Sequence, residues 1–150
     1  MRPGANPMLF WLKNLLGLGA VPHVGVRGEK FAAAWLRRER GFVIVARNWR
    51  SPRDRRDEID LVARDGEALV FIEVKTRAPG ALVPGIYAVD ARKKAVLLRA
   101  ARSYLAGLRA KPRTVRLDVV EIELPLPGGS GEPQLRHFEN VALFPKHFEP

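Results

Sequence analysis

The chain has 150 residues, enough for one compact domain with its own core and too few for two. At 47% hydrophobic and 28% charged residues it is not a disordered polymer, and without cysteine it has neither disulfides nor thiolate chemistry, so any metal must take oxygen or nitrogen ligands. Its 26 Lys and Arg against 16 Asp and Glu give a net charge of +10, which calls for an anionic partner, nucleic acid before an acidic membrane surface.

Residues 1–24 form an N-terminal extension. Its apolar stretch MLFWLKNLLGLGAV (8–21) is too short to span a bilayer and is interrupted by Lys13. It reads as a short amphipathic or mobile segment, with a weak signal sequence as the alternative. A single domain is expected over 25–145, followed by a tail at 146–150. GEKFAAAWLRRER (28–40) predicts a helix with Phe31, Ala34 and Trp35 on its apolar side, stopped by Gly41. FVIVARNWR (42–50) is β-branched and predicts a strand; SPRDRRD (51–57) reads as a wet loop.

Two strands follow, EIDLVA and ALVFIEVK, joined by Arg64-Asp65-Gly66-Glu67, where Asp-Gly is a strong hairpin signal. Residues 76–89 hold two Pro and two Gly and read as a loop. Asp90 is an N-cap candidate for a helix over about 91–107, with Leu97, Ala101, Tyr104, Leu105 and Leu108 as its buried stripe. A strand over 114–124, a turn over 125–133 and a last edge segment over 135–144 complete the chain. This order predicts an α/β domain with helices flanking a central sheet.

The hairpin carries acids where a plain core strand would carry apolar residues. With Asp65-Gly66 at the tip, Val62 faces Leu69, Asp60 faces Phe71 and Glu58 faces Glu73. Alternation then puts Glu58, Asp60, Glu73 and Lys75 on one face and Ile59, Leu61, Ile72 and Val74 on the other. Asp60 and Glu73 become diagonal neighbours, roughly 7–8 Å apart at the backbone, within reach of one ion. The bland reading is a solvated face. Against it, Val62, Leu69 and Phe71 share that face, and clustered acids repel one another unless a cation holds them. A hard ion such as Mg²⁺ or Mn²⁺ would take such carboxylates as ligands and activate water on a phosphate. Lys75 would orient that water or neutralise the phosphorus centre. Arg50, Arg53, Arg55, Arg56 and Arg77, with the basic residues of the second helix, would hold phosphates at both edges.

Asp60, twelve intervening residues, and then Glu73-Val74-Lys75 resemble the signature of the PD-(D/E)xK nuclease superfamily. The words GEKFAAAWLRRERGFVIVARNWR, DEIDLVARDGEALVFIEVKTR, DARKKAVLLRAARSYL and RLDVVEIEL together resemble the YraN family, small proteins similar to archaeal Holliday-junction resolvases, over roughly residues 25–145. The resemblance implies a restriction-endonuclease-like core with a central mixed β-sheet. It implies catalytic Asp60, Glu73 and Lys75, with Mg²⁺ or Mn²⁺ as cofactor. Glu29 matches a further acidic metal ligand, though it also reads as a first-turn Glu favoured by the helix dipole. Lys93 or Lys94 matches a phosphate-contacting lysine, and Glu58 an accessory position.

One departure stands out: Asp57 replaces the family's glycine, disturbs the expected turn and could add a stray carboxylate near the metal. Asp118, flanked by Leu117 and Val119, reads as a buried acid paired to an arginine. Trp49 reads as core, with stacking on a base as the alternative, and the three histidines show no ligand spacing. The expected activity is metal-dependent cleavage of branched or structured DNA, DNA before RNA, by a cytoplasmic and homodimeric protein without stable membrane association. The alternative is a nucleic-acid-binding protein that keeps the nuclease fold with little or no turnover. A membrane-surface protein using 8–21 is the third reading.

Overall fold

A computed structural model of the protein describes residues 22–77, 79, 89–125, 131–148 and 150. Residues 1–21, most of the expected loop at 76–89 and the centre of the turn at 125–133 lie outside the described residues. Among those described, the elements are helix α1 (Pro22–Arg40), strands β1 (Val43–Arg50), β2 (Glu58–Asp65) and β3 (Ala68–Arg77), helix α2 (Ala91–Ala106), and strands β4 (Thr114–Glu123) and β5 (Gln134–Val141). No helix among them is long and apolar enough to cross a membrane.

The strands form one mixed sheet in the order β1-β2-β3-β4-β5. Every neighbouring pair is antiparallel except β3 and β4, which run parallel and are joined across α2. This is the α/β architecture expected from the sequence, and it is consistent with a nuclease-like core.

The sheet is covered on both faces, which is why β3 reads as an unbroken buried run from Leu69 to Glu73. On one face Ala32, Ala33 and Leu36 of α1 pack against Leu61, Ala63, Val70, Ile72, Val120 and Ile122. On the other, Leu97, Ala100, Ala101 and Leu105 of α2 pack against Val62, Leu69, Phe71, Leu117 and Val119. Trp49 joins this second cluster, edge-to-face with Tyr104. Phe148, in the segment expected as a tail, packs against Phe144 and the same cluster.

α1 begins six residues earlier than its pattern predicts, and Ala34 is exposed rather than buried. Gly28, which lowers helix propensity locally, lies inside the helix because α1 passes close to β3: an added Cβ would fall 2.4 Å from Thr76 Oγ1. β3 runs on to Arg77, past the expected loop start at 76, because its ladder with β4 continues to Arg77↔Glu123. α2 matches its prediction, with Asp90 accepting from the Lys93 backbone N–H at 2.8 Å and Gly107 at the other end.

The hairpin register differs from the expected one. Asp65 pairs with Ala68 and Arg64 with Leu69, so the turn is Gly66-Glu67, with Gly66 at φ +57 in the leading position. Every partner moves by two residues, and two residues return a side chain to the same face. Glu73 therefore keeps its expected side, and continuing the register one step sets Asp60 directly across from it. Ile59 does not keep its side. It lies in the α2 cluster with Trp49, whereas Leu61, two residues on, lies in the α1 cluster. The alternation of β2 breaks between them, at Asp60.

Candidate active site at the opening of the hairpin

The β2–β3 ladder ends at Leu61↔Ile72. One step further the strands part, and Asp60 fills the gap: its Oδ2 accepts from the Val74 backbone N–H at 2.8 Å. The carboxylate thus lies between strands, in the place of a ladder carbonyl. Glu73 is only 2% exposed. Its Oε1 meets Lys75 Nζ at 2.7 Å and Lys93 Nζ at 3.0 Å, one lysine from its own strand and one from the first turn of α2. Its Oε2 is buried and has no hydrogen-bond partner among the described residues.

The electrostatics follow from crowding. Burial pushes the Asp60 carboxyl up to about 7, and the Glu73 charge adds to it. The Val74 N–H and the Lys93 charge pull the other way, and Glu29 raises it further. Glu29 is raised as well, chiefly by burial; a hydrogen bond with the Asn48 side chain opposes this, and the charges of Glu58 and Glu73 reinforce it. So α1, β2 and β3 deliver Glu29, Asp60 and Glu73 to one electrostatic neighbourhood. Glu29 lies two turns inside α1, which removes the first-turn dipole reading.

The other sequence-predicted residues fall into two groups. Arg50 is paired to Glu58 at 2.7 Å and Arg56 to Asp54 at 2.8 Å. The side chains of Arg53, Arg55 and Lys94 make no ion pair among the described residues; the two arginines are exposed in the loop before β2 and Lys94 is half-buried on α2. Arg77, at the end of β3, has a buried Nε without a hydrogen-bond partner among the described residues. Lys93 points at Glu73 and so belongs to the acid centre itself.

The loop over 51–57 is not wholly wet as expected. Ser51 and Asp57 are buried. Asp57 receives a two-pronged hydrogen bond from Arg99 of α2, at 2.8 Å and 3.2 Å, and Ser51 Oγ lies 3.0 Å from Ser103 Oγ. The aspartate in the glycine position is therefore a tie between loop and helix and not a stray carboxylate. Sequence reading missed Arg99 because only tertiary docking brings position 99 to position 57.

Asp118 is the buried, arginine-paired acid anticipated from its neighbours. Its Oδ1 accepts from Arg116 Nε and the Asn140 N–H, both at 3.0 Å, and its Oδ2 lies 2.9 Å from His137 Nε2 and 3.2 Å from Arg116 Nη2. His137, to which the sequence assigned nothing, is the missed member. Its signal was alternation with inward Leu135, opposite Val120 and Ile122.

For a divalent cation, the unpartnered Glu73 Oε2 and the raised Asp60 are the observations that fit. Among the described residues no group of three or more His, Cys, Asp or Glu is ready-made to hold a metal. The donors that fit are thus the Asp60–Glu73 pair, with water and substrate oxygens to complete a Mg²⁺-type shell.

Fold and site together define a small α/β protein with two acids and two lysines gathered where a mixed sheet opens. The chain belongs to the family described as Uncharacterised protein family UPF0102, whose model matches residues 28–122, in agreement with the YraN resemblance. It is 43% identical over 115 residues to a UPF0102 protein of Anaeromyxobacter dehalogenans, covering 77% of this chain and 80% of that one. Relatives from Beutenbergia cavernae and Symbiobacterium thermophilum are each 44% identical over 118 residues, covering 79% of this chain and 94% of theirs.

Proposed function

We propose that the protein is a divalent-metal-dependent endonuclease that hydrolyses phosphodiester bonds in branched or structured DNA. The observation that carries this reading is the Asp60–Glu73 pair: adjacent half-buried and buried carboxylates on strands that have parted, one driven up to about 7 and the other with an oxygen that has no hydrogen bond among the described residues. Asp60 and Glu73 would hold Mg²⁺ or Mn²⁺, with Glu29 in support from α1. Such an ion, when bound, lowers the pKa of a coordinated water and stabilises charge on the leaving oxygen.

The chain's own residues do the rest. Lys75 offers its ammonium protons to the attacking water and its charge to the phosphoryl oxygens. Lys93 brings a second cation from the first turn of α2, where the helix dipole also favours an anion. Arg53 and Arg55 have no carboxylate to leave among the described residues and are the natural phosphate contacts beside the acid centre. Arg50 and Arg56 would first have to break their pairs with Glu58 and Asp54. A homodimer acting in the cytoplasm suits a substrate with paired strands to cut.

The test compares wild type with Asp60→Ala, Glu73→Ala and Lys75→Ala on junctions, flaps, single strands and RNA with each metal. Cleavage by the wild type and a loss of at least about 10²-fold in each variant is the expected result. Absence of cleavage with every divalent ion, or equal cleavage by the variants, removes the enzymatic reading. A second reading, binding without turnover, is favoured by the two lysines already compensating Glu73 Oε1. It predicts salt-sensitive binding that persists in all three variants.

A further inference from the structure

Asn48 is one of two non-glycine residues with positive φ among those described, at +48. An L-residue adopts that conformation at a steric cost, least for Asn, and such outliers persist only where their surroundings hold them. Its place in the sheet is specific. On β1, Arg47 pairs with Leu61 and Trp49 with Ile59, so Asn48 stands at the level of Asp60 with no ladder partner of its own. The side-chain alternation breaks on both strands at this level. Trp49 and Ile59 turn to the α2 cluster, while Leu61 stays with α1.

This break has two consequences for the acid centre. It releases Asp60 from strand geometry on its β1 side, just where the β2–β3 ladder ends on the other, leaving the carboxylate to reach the Val74 N–H. It also turns the Asn48 side chain to Glu29 on α1, whose carboxyl it hydrogen-bonds. An ordinary β conformation at position 48 would send the amide elsewhere and restore the alternation.

Resting on the nuclease reading above, we infer that Asn48 is a positioning residue: its left-handed backbone opens the sheet at Asp60 while its amide holds the Glu29 carboxyl toward the acids of β2 and β3. The residue touches neither substrate nor metal. It acts through Glu29, in the way a hydrogen bond behind a ligand fixes that ligand's orientation.

Asn48→Gly separates the two roles, since glycine keeps the backbone conformation and removes the amide. The experiment is a double-mutant cycle of Asn48→Gly and Glu29→Gln, read twice on the full chain. In EDTA, denaturant midpoints report the tie itself, and the two changes are expected to be non-additive. With Mn²⁺ alone, Asn48→Gly is expected to weaken binding about tenfold, and Glu29→Gln to leave no further loss for the second change to cause. Additive midpoints, or unchanged Mn²⁺ affinity in Asn48→Gly, overturn the inference while wild-type Mn²⁺ binding still stands for the metal site. Non-additive midpoints in a wild type that takes up no Mn²⁺ make Asn48 a purely structural tie and remove the metal reading with it. Should Asn48→Gly fail to fold, Asn48→Asp takes its place. The added charge beside Glu29 must then lower Mn²⁺ affinity in the Glu29 background and much less in Glu29→Gln; equal effects overturn the inference.

Discussion

Two acids on the same sheet, half-buried Asp60 and buried Asp118, have opposite fates. Both lie beside basic side chains, and burial by itself would raise both. Asp118 is fully enclosed, yet hydrogen bonds from His137, Arg116 and the Asn140 N–H overcome the burial and hold its carboxyl below the usual range. Asp60 has one backbone N–H and a second carboxylate for company, and stands at about 7. A structural ionic network fills both oxygens of its acid. The hairpin centre puts both lysines on Glu73 Oε1 and leaves Oε2 without a hydrogen bond among the described residues, which is expensive in a fold unless a ligand supplies the missing partner.

That contrast can be tested from the large effects downward. Asp118→Ala takes the anion from His137 and one of the two close carboxylates from half-buried Arg116, which keeps Asp65 at 2.8 Å, and should cost about 3–5 kcal/mol in denaturant unfolding, while any nuclease activity of the folded fraction is retained. Asp60→Asn should do the reverse. An acid whose folded pKa is raised binds its proton more tightly in the native state, so stability is fullest below the unfolded value and falls as pH rises from about 4 through about 7. Removing the charge in EDTA should therefore stabilise the protein by up to about 4 kcal/mol at pH 8 and by much less at pH 5. A destabilised Asp60→Asn at pH 8 would make the two acids alike.

Metal gives the third comparison. Mn²⁺ at about 100 times its Kd should add about 2.7 kcal/mol to the wild type and leave Asp60→Asn unmoved, as melting in matched buffers would show. The smallest effects belong to the loop before β2. Arg53→Ala and Arg55→Ala should each lower the salt slope of DNA binding by about one without changing sequence preference, while Arg56→Ala, whose guanidinium is tied to Asp54, should lower it less.

Much of this was legible in the residues. The order of elements, the Asp90 cap, the core role of Trp49 and the arginine pairing of Asp118 all rest on local chemistry that the sequence displays. The hairpin was predicted with the wrong turn, and its faces survived because the shift moved each partner by two. Ile59 was misplaced because one left-handed residue on a neighbouring strand, Asn48, resets the alternation. No periodicity in β2 could announce that. Asp57 is explained only by Arg99 of α2, and the alternation of His137 with Leu135 gains meaning only once β5 lies beside β4.

What the sequence determined by itself was which residue types gather in the hairpin: Asp60, Glu73 and Lys75 sit at spacings that alternation alone converts into proximity. What only the tertiary structure decided was their electrical state. Whether a carboxylate is compensated depends on cations and donors from distant segments, on Lys93 from α2 and Glu29 from α1 at one centre, on Arg116, His137 and Asn140 at the other. Those partners are remote in the chain, and only packing of the helices against the two faces of the sheet settles which acid is fully hydrogen-bonded and which is not.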